Sequence, residues 1–239
     1  MSRNLELNVH VSNSGKGDYC FRSIGSGYSV VGLFSGHGGK FGNIAAEASA
    51  IYMKRQFDDV HNIRCLRQNH VSVLNTIFQY AHYSLRRKFA LGCKLQQTKI
   101  TNAGVFKRFA LGTWTPIHGG TTATVIICTG TTIIVAYVGD SSAIVQGSDS
   151  YEYDHSPKNM HEYMRVREET NNLKFVYAPC ESRGIRNIYD HDEDGIRMTN
   201  VDGCAAVMVD GVSLRITRSL GDFFLHNNGV SHELTISLY

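Results

Sequence analysis

VVGLFSGHGGKFG, Val30 to Gly42, is an apolar run that enters four glycines within seven residues and then passes into a helical pattern. Val30, Val31, Leu33 and Phe34 suit a largely buried strand. Glycines at the end of a strand let a ligand or a second backbone approach closely, so chemistry is expected here. Ser35 stands at the strand tip, flanked by Gly36 and followed by His37.

Working outward, Tyr19 to Ile24 and Tyr28 to Phe34 read as two strands joined by a GSG hairpin turn. Before them, Leu5, Leu7, Val9 and Val11 alternate with polar residues as in a half-buried strand, and a turn-rich SNSGKGD carries Asp18, which in isolation reads as a turn residue. Beyond Gly42, Ile44, Ala45, Ala48, Ile51 and Tyr52 recur at helical spacing. A second helical stripe runs through Val71, Leu74, Ile77, Phe78, Ala81, Leu85 and Phe89. Both stripes are expected to face the core. Arg86, Arg87 and Lys88 read as a solvated helix end, where cations suit the helix dipole. From 93 to 118 the periodicity dissolves into a basic stretch with Lys94, Lys99, Lys107, Arg108 and the single Trp114, expected to be a surface insertion. GGTTATVIICTGTTIIVAYVGDSSAIV, Gly119 to Val145, then gives two β-branched runs across a Thr-Gly turn, and a Gly139-Asp140 bend leading to a third strand.

Strands grouped in hairpins, not alternating strictly with helices, indicate an α+β chain with antiparallel sheets. The 239 residues, 42% of them hydrophobic, can bury one sizeable core, so a single domain spanning 1–239 is expected. Charged residues make up 19% with a net charge of +3 and the basic residues are scattered, so nothing argues for a dedicated nucleic-acid surface and no nucleic-acid partner is expected. Six cysteines lie far apart without a CxxC pair, which suits buried thiols in a reducing, intracellular setting, cytoplasmic or nuclear. No apolar run approaches the roughly 20 residues that span a bilayer, and MSRNLELN lacks a signal-peptide core, so no membrane association is expected.

FSGHGG resembles, at every position except Ser35, the FDGHGG signature of the metal-dependent type 2C Ser/Thr protein phosphatases. Further blocks follow in that family's order. GGTTA and VGDSSA resemble GGSTA and VGDSRA, with Asp140 kept and Ser142 in place of the usual Arg; DHSP with Glu162 and Arg165 resembles DHKP…ExxRI. TRSLGD matches with Asp222 as its acid, and GVSHELTI resembles GVSAEPEI with Leu234 for the proline. The resemblance covers Gly32 to about Ile236. It implies two stacked antiparallel sheets flanked by antiparallel helices, with divalent ions, usually Mn or Mg, in a cleft at one end. There the Asp of the signature bridges two ions and a water that attacks a phosphoryl group.

By the same resemblance Asp140, Asp222 and the Gly36 carbonyl fall at metal positions and His37 at that of the general acid. Asp18 keeps the second acid of an acidic pair whose first member is Gly17, and Asn13 lies roughly where a phosphate-binding Arg would be. A serine hydroxyl cannot replace a bridging carboxylate in charge or geometry. The family's last metal Asp lies beyond Tyr239, as do its last strands. The implied reading is a catalytically inactive pseudophosphatase with at most a residual weak Mn or Mg site. It would act as a protein-binding or structural module whose uncovered sheet edge meets a protein partner or larger assembly. The rival is an active Mn/Mg-dependent phosphatase hydrolysing phosphoserine and phosphothreonine with Asp18, Asp140 and Asp222 as ligands.

Asp190, Asp192, Asp194 and Gly195 open like a calcium loop, but the twelfth position is Val201, so a solvated turn is favoured. GHGGKFG matches neither nucleotide-binding glycine pattern. The eleven histidines show no HExxH-type spacing and are read as surface or core residues.

Overall fold

A computed structural model describes residues 17–94, 96–109, 112–145, 154–169, 175–178, 189–192, 195–198, 204–209, 212–226 and 228–239. The alternating segment at Leu5 to Val11 and the position of Asn13 lie outside them. The chain opens with β1 (Asp18–Gly25) and β2 (Tyr28–His37), an antiparallel pair across a two-residue turn. Gly27 in that turn has φ +75, a conformation that costs glycine little. Asp18, expected in a turn, is the first strand residue and lies directly opposite Ser35.

Helix α1 (Lys40–Asp58) follows, then α2 (Val60–Gly92), which is two helices merged across Asn69 at φ −150, ψ 76. The Asn69 side chain accepts from the Ser72 N–H at 3.1 Å and so caps the second piece, the one the stripe from Val71 predicts. The buried face of α1 is Ala45, Ala46, Ser49, Ala50, Met53 and Phe57, while Ile51, expected inside, is 48% exposed. The helix packs closely on β1 and β2, and that close approach selects small residues over the large ones on which the sequence reading relied.

The segment expected to be a surface insertion forms a three-stranded antiparallel meander: β3 (Thr98–Thr101), β4 (Gly104–Arg108) and β5 (Trp114–Pro116). Trp114 and Lys99 stay exposed, but Val105 and Ile117 enter the main core, so the meander is anchored. Alternation is what the sequence reading missed. In strands this short, one or two buried side chains carry the anchoring.

Next come β6 (Gly120–Thr121), β7 (Ala123–Thr129) and β8 (Thr132–Val138). Residues 141–145, expected as a third strand, are irregular. After α3 (Met160–Glu169) the described pieces are β9 (Phe175–Ala178), β10 (Tyr189–Asp192), β11 (Gly195–Met198), β12 (Cys204–Val209), β13 (Val212–Leu214), β14 (Leu220–Gly221), a short α4 (Phe223–His226) and β15 (Thr235–Leu238). β10 and β11 pair as a hairpin, so Asp190, Asp192 and Gly195 lie on or at the end of strands; Asp194 and Val201 lie outside the described residues.

The main sheet has seven strands in the order β14-β6-β2-β7-β8-β15, with β1 beside β2, every pairing antiparallel. β15 fills the place beside β8 that the sequence reading gave to residues 141–145. One core cluster runs from Phe21 to Phe223, with Phe34, Phe57, Phe78, Phe89, Met53 and Leu85 wholly buried between sheet and helices. β9, β12 and β13 form a separate three-stranded antiparallel sheet. Among the described residues no helix is long and apolar enough to cross a membrane. Four described cysteines are free; Cys93 and Cys128 are buried as expected, but Cys20 is exposed and Cys65 half-buried.

Candidate functional site

The GHGG stretch turns β2 into α1 by backbone contact. A Cβ on Gly36 would meet the Gly42 carbonyl at 2.5 Å, and one on Gly42 would strike the His37 backbone. Only glycine at both positions lets the helix start hug the strand tip, which fixes where His37 points. On the opposite flank β6 pairs with β2, His37 facing Gly120 and Gly36 facing Thr121. β14 pairs with β6, Gly221 facing Gly120. Three short backbone segments thus bring His37, Gly120 and Asp222 to one end of the sheet.

Asp222 is 3% exposed and, unusually for an aspartate after a strand, has φ +44. Its Oδ2 lies 2.6 Å from His37 Nε2 and accepts the Ser219 hydroxyl at 2.7 Å. A Cβ on Gly120 would collide with the same oxygen, so only glycine at 120 leaves room for the carboxylate. Burial alone would raise the Asp222 pKa, but the charge and hydrogen bond of His37, with Ser219, hold it below its ordinary value. Burial pulls the His37 pKa down, and the charge and hydrogen bond of Asp222, helped by Asp140, more than offset this and raise it. Each partner therefore favours the charged form of the other.

Ser35, His37, Thr122, Asp140, Leu214, Arg215 and Ile216 line an adjoining cleft of about 330 Å³. Ser35 sits between Asp18 on one side and Thr122 on the other. Its N–H donates to Thr122 Oγ1 at 3.2 Å, and its carbonyl accepts the Thr122 N–H at 3.0 Å. Thr122 Oγ1 is also 2.7 Å from Ser141 Oγ, which ties the strand tip to the turn bearing Asp140. Asp140 itself is exposed. Gly36 donates its N–H to the Gly17 carbonyl at 3.1 Å.

Behind the cleft, DHSP and ExxR form the scaffold. The Gly139 N–H donates to His155 Nδ1 at 3.0 Å, the His155 N–H to the Gly139 carbonyl at 3.1 Å, and His155 Nε2 reaches Thr235 Oγ1 at 2.8 Å. Burial, then the charge of Arg218, pushes the His155 pKa down to about 4, so the ring is neutral near pH 7. Glu162 is buried and accepts from Arg165, Arg218 and the Thr217 hydroxyl, at 2.9, 2.6 and 2.6 Å.

The structure therefore brings together His37 and Asp222, and lines the adjoining cleft with His37, Ser35 and Asp140, Asp18 lying opposite Ser35. Thr122 and Arg215 are cleft residues the sequence reading did not single out. Arg215, within an apolar alternation, gave no signal; Thr122 could have been found from the strand register. The donor set does not fit a pair of divalent ions. Hard cations need several charged oxygens converging, yet Asp222 is closed by His37, Ser35 is neutral and Asp140 stands on the rim. The one group of three described His, Cys, Asp or Glu side chains with ligand atoms within 4.8 Å of one another lies elsewhere, at His82, His226 and His232.

Residues 31–237 match the family model of Protein phosphatase 2C. The chain belongs to that family. Among solved structures, the serine-threonine phosphatase 2C from Toxoplasma gondii superposes with TM-score 0.53 at 13% identity, covering 93% of this chain and 72% of that one, and shows the same fold. The serine/threonine phosphatase of S. agalactiae aligns at 18% identity and TM-score 0.48 over 97% of this chain and 71% of that one. No curated protein matches the chain. Phosphatases of this family are generally Mn- or Mg-dependent, which is why the misfit of the donor set in this type 2C chain matters.

Proposed function

We propose that this chain is a catalytically inactive member of the type 2C phosphatase family, retained as a protein-binding or structural module. The observation that carries the reading is the His37–Asp222 pair. The acid that by resemblance should hold a metal already faces the His37 imidazole at 2.6 Å, while the strand-tip position across the cleft is a neutral serine. An ion would have to displace the His37 imidazole from this buried carboxylate before it could bind. Ile51, Val60, Val71 and Tyr80 on the two helices are 48–61% exposed, and a protein partner would cover them. In an assay of p-nitrophenyl phosphate and a phosphothreonine peptide with millimolar Mn²⁺ or Mg²⁺, turnover stays at the buffer rate. Turnover that disappears in Asp222→Ala would overturn the proposal.

A second reading rests on the register that sets Asp18 opposite Ser35. It makes the chain a working metal-dependent phosphatase with Asp18 supplying the bridging charge alongside Asp140 and Asp222. Calorimetry separates the two: tight Mn²⁺ binding lost in both Asp18→Asn and Asp140→Asn would favour the working enzyme.

A further inference from the structure

We propose that His82, His226 and His232 form a binding site for a borderline transition-metal ion of the Zn²⁺ class, distinct from the cleft. His82 projects from α2, His226 ends α4, and His232 lies in the segment leading to β15. Their nearest ring nitrogens all lie within 4.8 Å of one another. His82 is 1% exposed, whereas His226 and His232 are half-buried, so the group opens to solvent on the His232 side.

His226 Nε2 is the second, independent observation. It is buried and without a hydrogen-bond partner. The Ser219 backbone acts on the same ring in the direction of a hydrogen-bond acceptor, raising its pKa. Metal-ligating histidines are commonly held by a carbonyl on one ring nitrogen while the other meets the ion. A buried lone pair with no donor is costly, and an ion would satisfy it.

The chemistry of the donors selects the ion. Three neutral imidazoles without a carboxylate suit Zn²⁺, Ni²⁺, Cu²⁺ or Co²⁺ and disfavour Mn²⁺, Mg²⁺ and Ca²⁺. Burial lowers the pKa of all three rings, and the neighbouring rings add to this at His82 and His226, so no imidazolium has to be neutralised near pH 7 before an ion binds. Arg86 opposes an added cation; Asp222 and Glu233 favour one. The rings are stacked, His82 and His232 at 4.2 Å between centroids and 8° between planes, so binding turns them until the nitrogens close to about 3.4 Å, the ligand spacing of a tetrahedral ion. At His82 the ion takes Nδ1 in exchange for its 3.2 Å bond from the Gly221 N–H. Solvent supplies the fourth ligand. Such an ion would staple α2 to two elements roughly 140 residues later in the chain.

Titration of the full chain with Co²⁺ alone tests this. One ion binds per chain, with a visible absorption band that Zn²⁺ abolishes, and Zn²⁺ raises the melting temperature. His226→Gln and His232→Gln each weaken binding at least about tenfold, while His161→Gln, an exposed histidine on α3, does not. His232 is half-exposed, so its variant remains folded where His82→Gln could not be relied on to do so. Absence of the band, or its survival undiminished in both His226→Gln and His232→Gln, overturns the site. Neither result depends on phosphatase activity, so this proposal and the preceding one fail separately.

Discussion

Two buried carboxylates, Glu162 and Asp222, sit in neighbouring parts of the same framework with similar exposure and different partners. Glu162 is held by two guanidiniums and a threonine hydroxyl, Asp222 by an imidazole and a serine hydroxyl. Guanidiniums carry their charge at every physiological pH, whereas imidazole carries it conditionally. The scaffold carboxylate is therefore neutralised permanently and the cleft carboxylate by a partner that titrates. What this teaches is that the chain keeps the parts of the family pattern that brace the fold, whereas at the cleft end a side chain stands against the acid that the resemblance assigns to a metal.

The largest expected effect breaks the scaffold side. Glu162→Gln leaves Arg218 without its carboxylate and Arg165 with only the exposed Glu169, and should lower stability by about 3–5 kcal/mol, read as a shift in the urea midpoint. Burial alone would raise the Glu162 pKa, but Arg218, Arg165 and Thr217 bring it down to about 2 from 4.5. A depressed acid stabilises the fold above its unfolded value, so wild type should lose this contribution only as pH falls from about 4.5 towards 2, and the variant should lack that limb. A cost smaller than that of Asp222→Asn would dissolve the contrast between the two sites.

The same contrast marks how much could be read from the sequence. Hairpins, the two helical stripes and the β7–β8 meander announce themselves through alternation and turn residues, because local geometry enforces them. The Glu162 network does not: Arg218 meets Glu162 across 56 residues, and only the family resemblance put their two motifs in the same protein. The cleft is legible in its composition, as Ser35, His37, Asp140 and Asp222, but not in its pairing. That His37 would close on Asp222 depends on Gly36, Gly42 and Gly120 drawing three backbones together, which no periodicity encodes. Likewise, His82, His226 and His232 have no motif spacing and converge only through packing.

Next in size is the cleft pair. Asp222→Asn should cost about 1–2 kcal/mol, less than the scaffold variant, because the freed imidazole can shed its proton. The raised His37 pKa means that its contribution is full below about 6.5 and fades as pH rises through the folded value. Wild type should therefore lose stability as pH rises above about 6.5, and Asp222→Asn should flatten that limb. His155 works in the other direction. Its pKa falls from 6.5 to about 4, so the fold, which prefers the neutral ring, weakens as pH drops between those values. Thermal melts from pH 5 to 9 on wild type and Asp222→Asn check both signs. An alkaline limb that persists in the variant would show that His37 and Asp222 are not the pair responsible.

The smallest effect sharpens the comparison most. Ser35→Asp restores the family's residue at the strand tip, directly opposite Asp18 and on the cleft that Asp140 rims. Two like charges facing each other across an antiparallel pair cost about 0.2–1 kcal/mol. If the cleft still lacks a converging set of acids because Asp222 stays with His37, nothing offsets that repulsion. The variant should then melt slightly lower than wild type, gain no more than wild type from millimolar Mn²⁺, and turn over no phosphoester. If Asp222 can instead leave His37 for an ion, the new carboxylate, Asp18, Asp140 and Asp222 become a charged set, and Mn²⁺ should reverse the loss and add stability beyond wild type. The sign of that one Mn²⁺-dependent shift states whether the imidazole or a metal is the preferred partner of the buried acid.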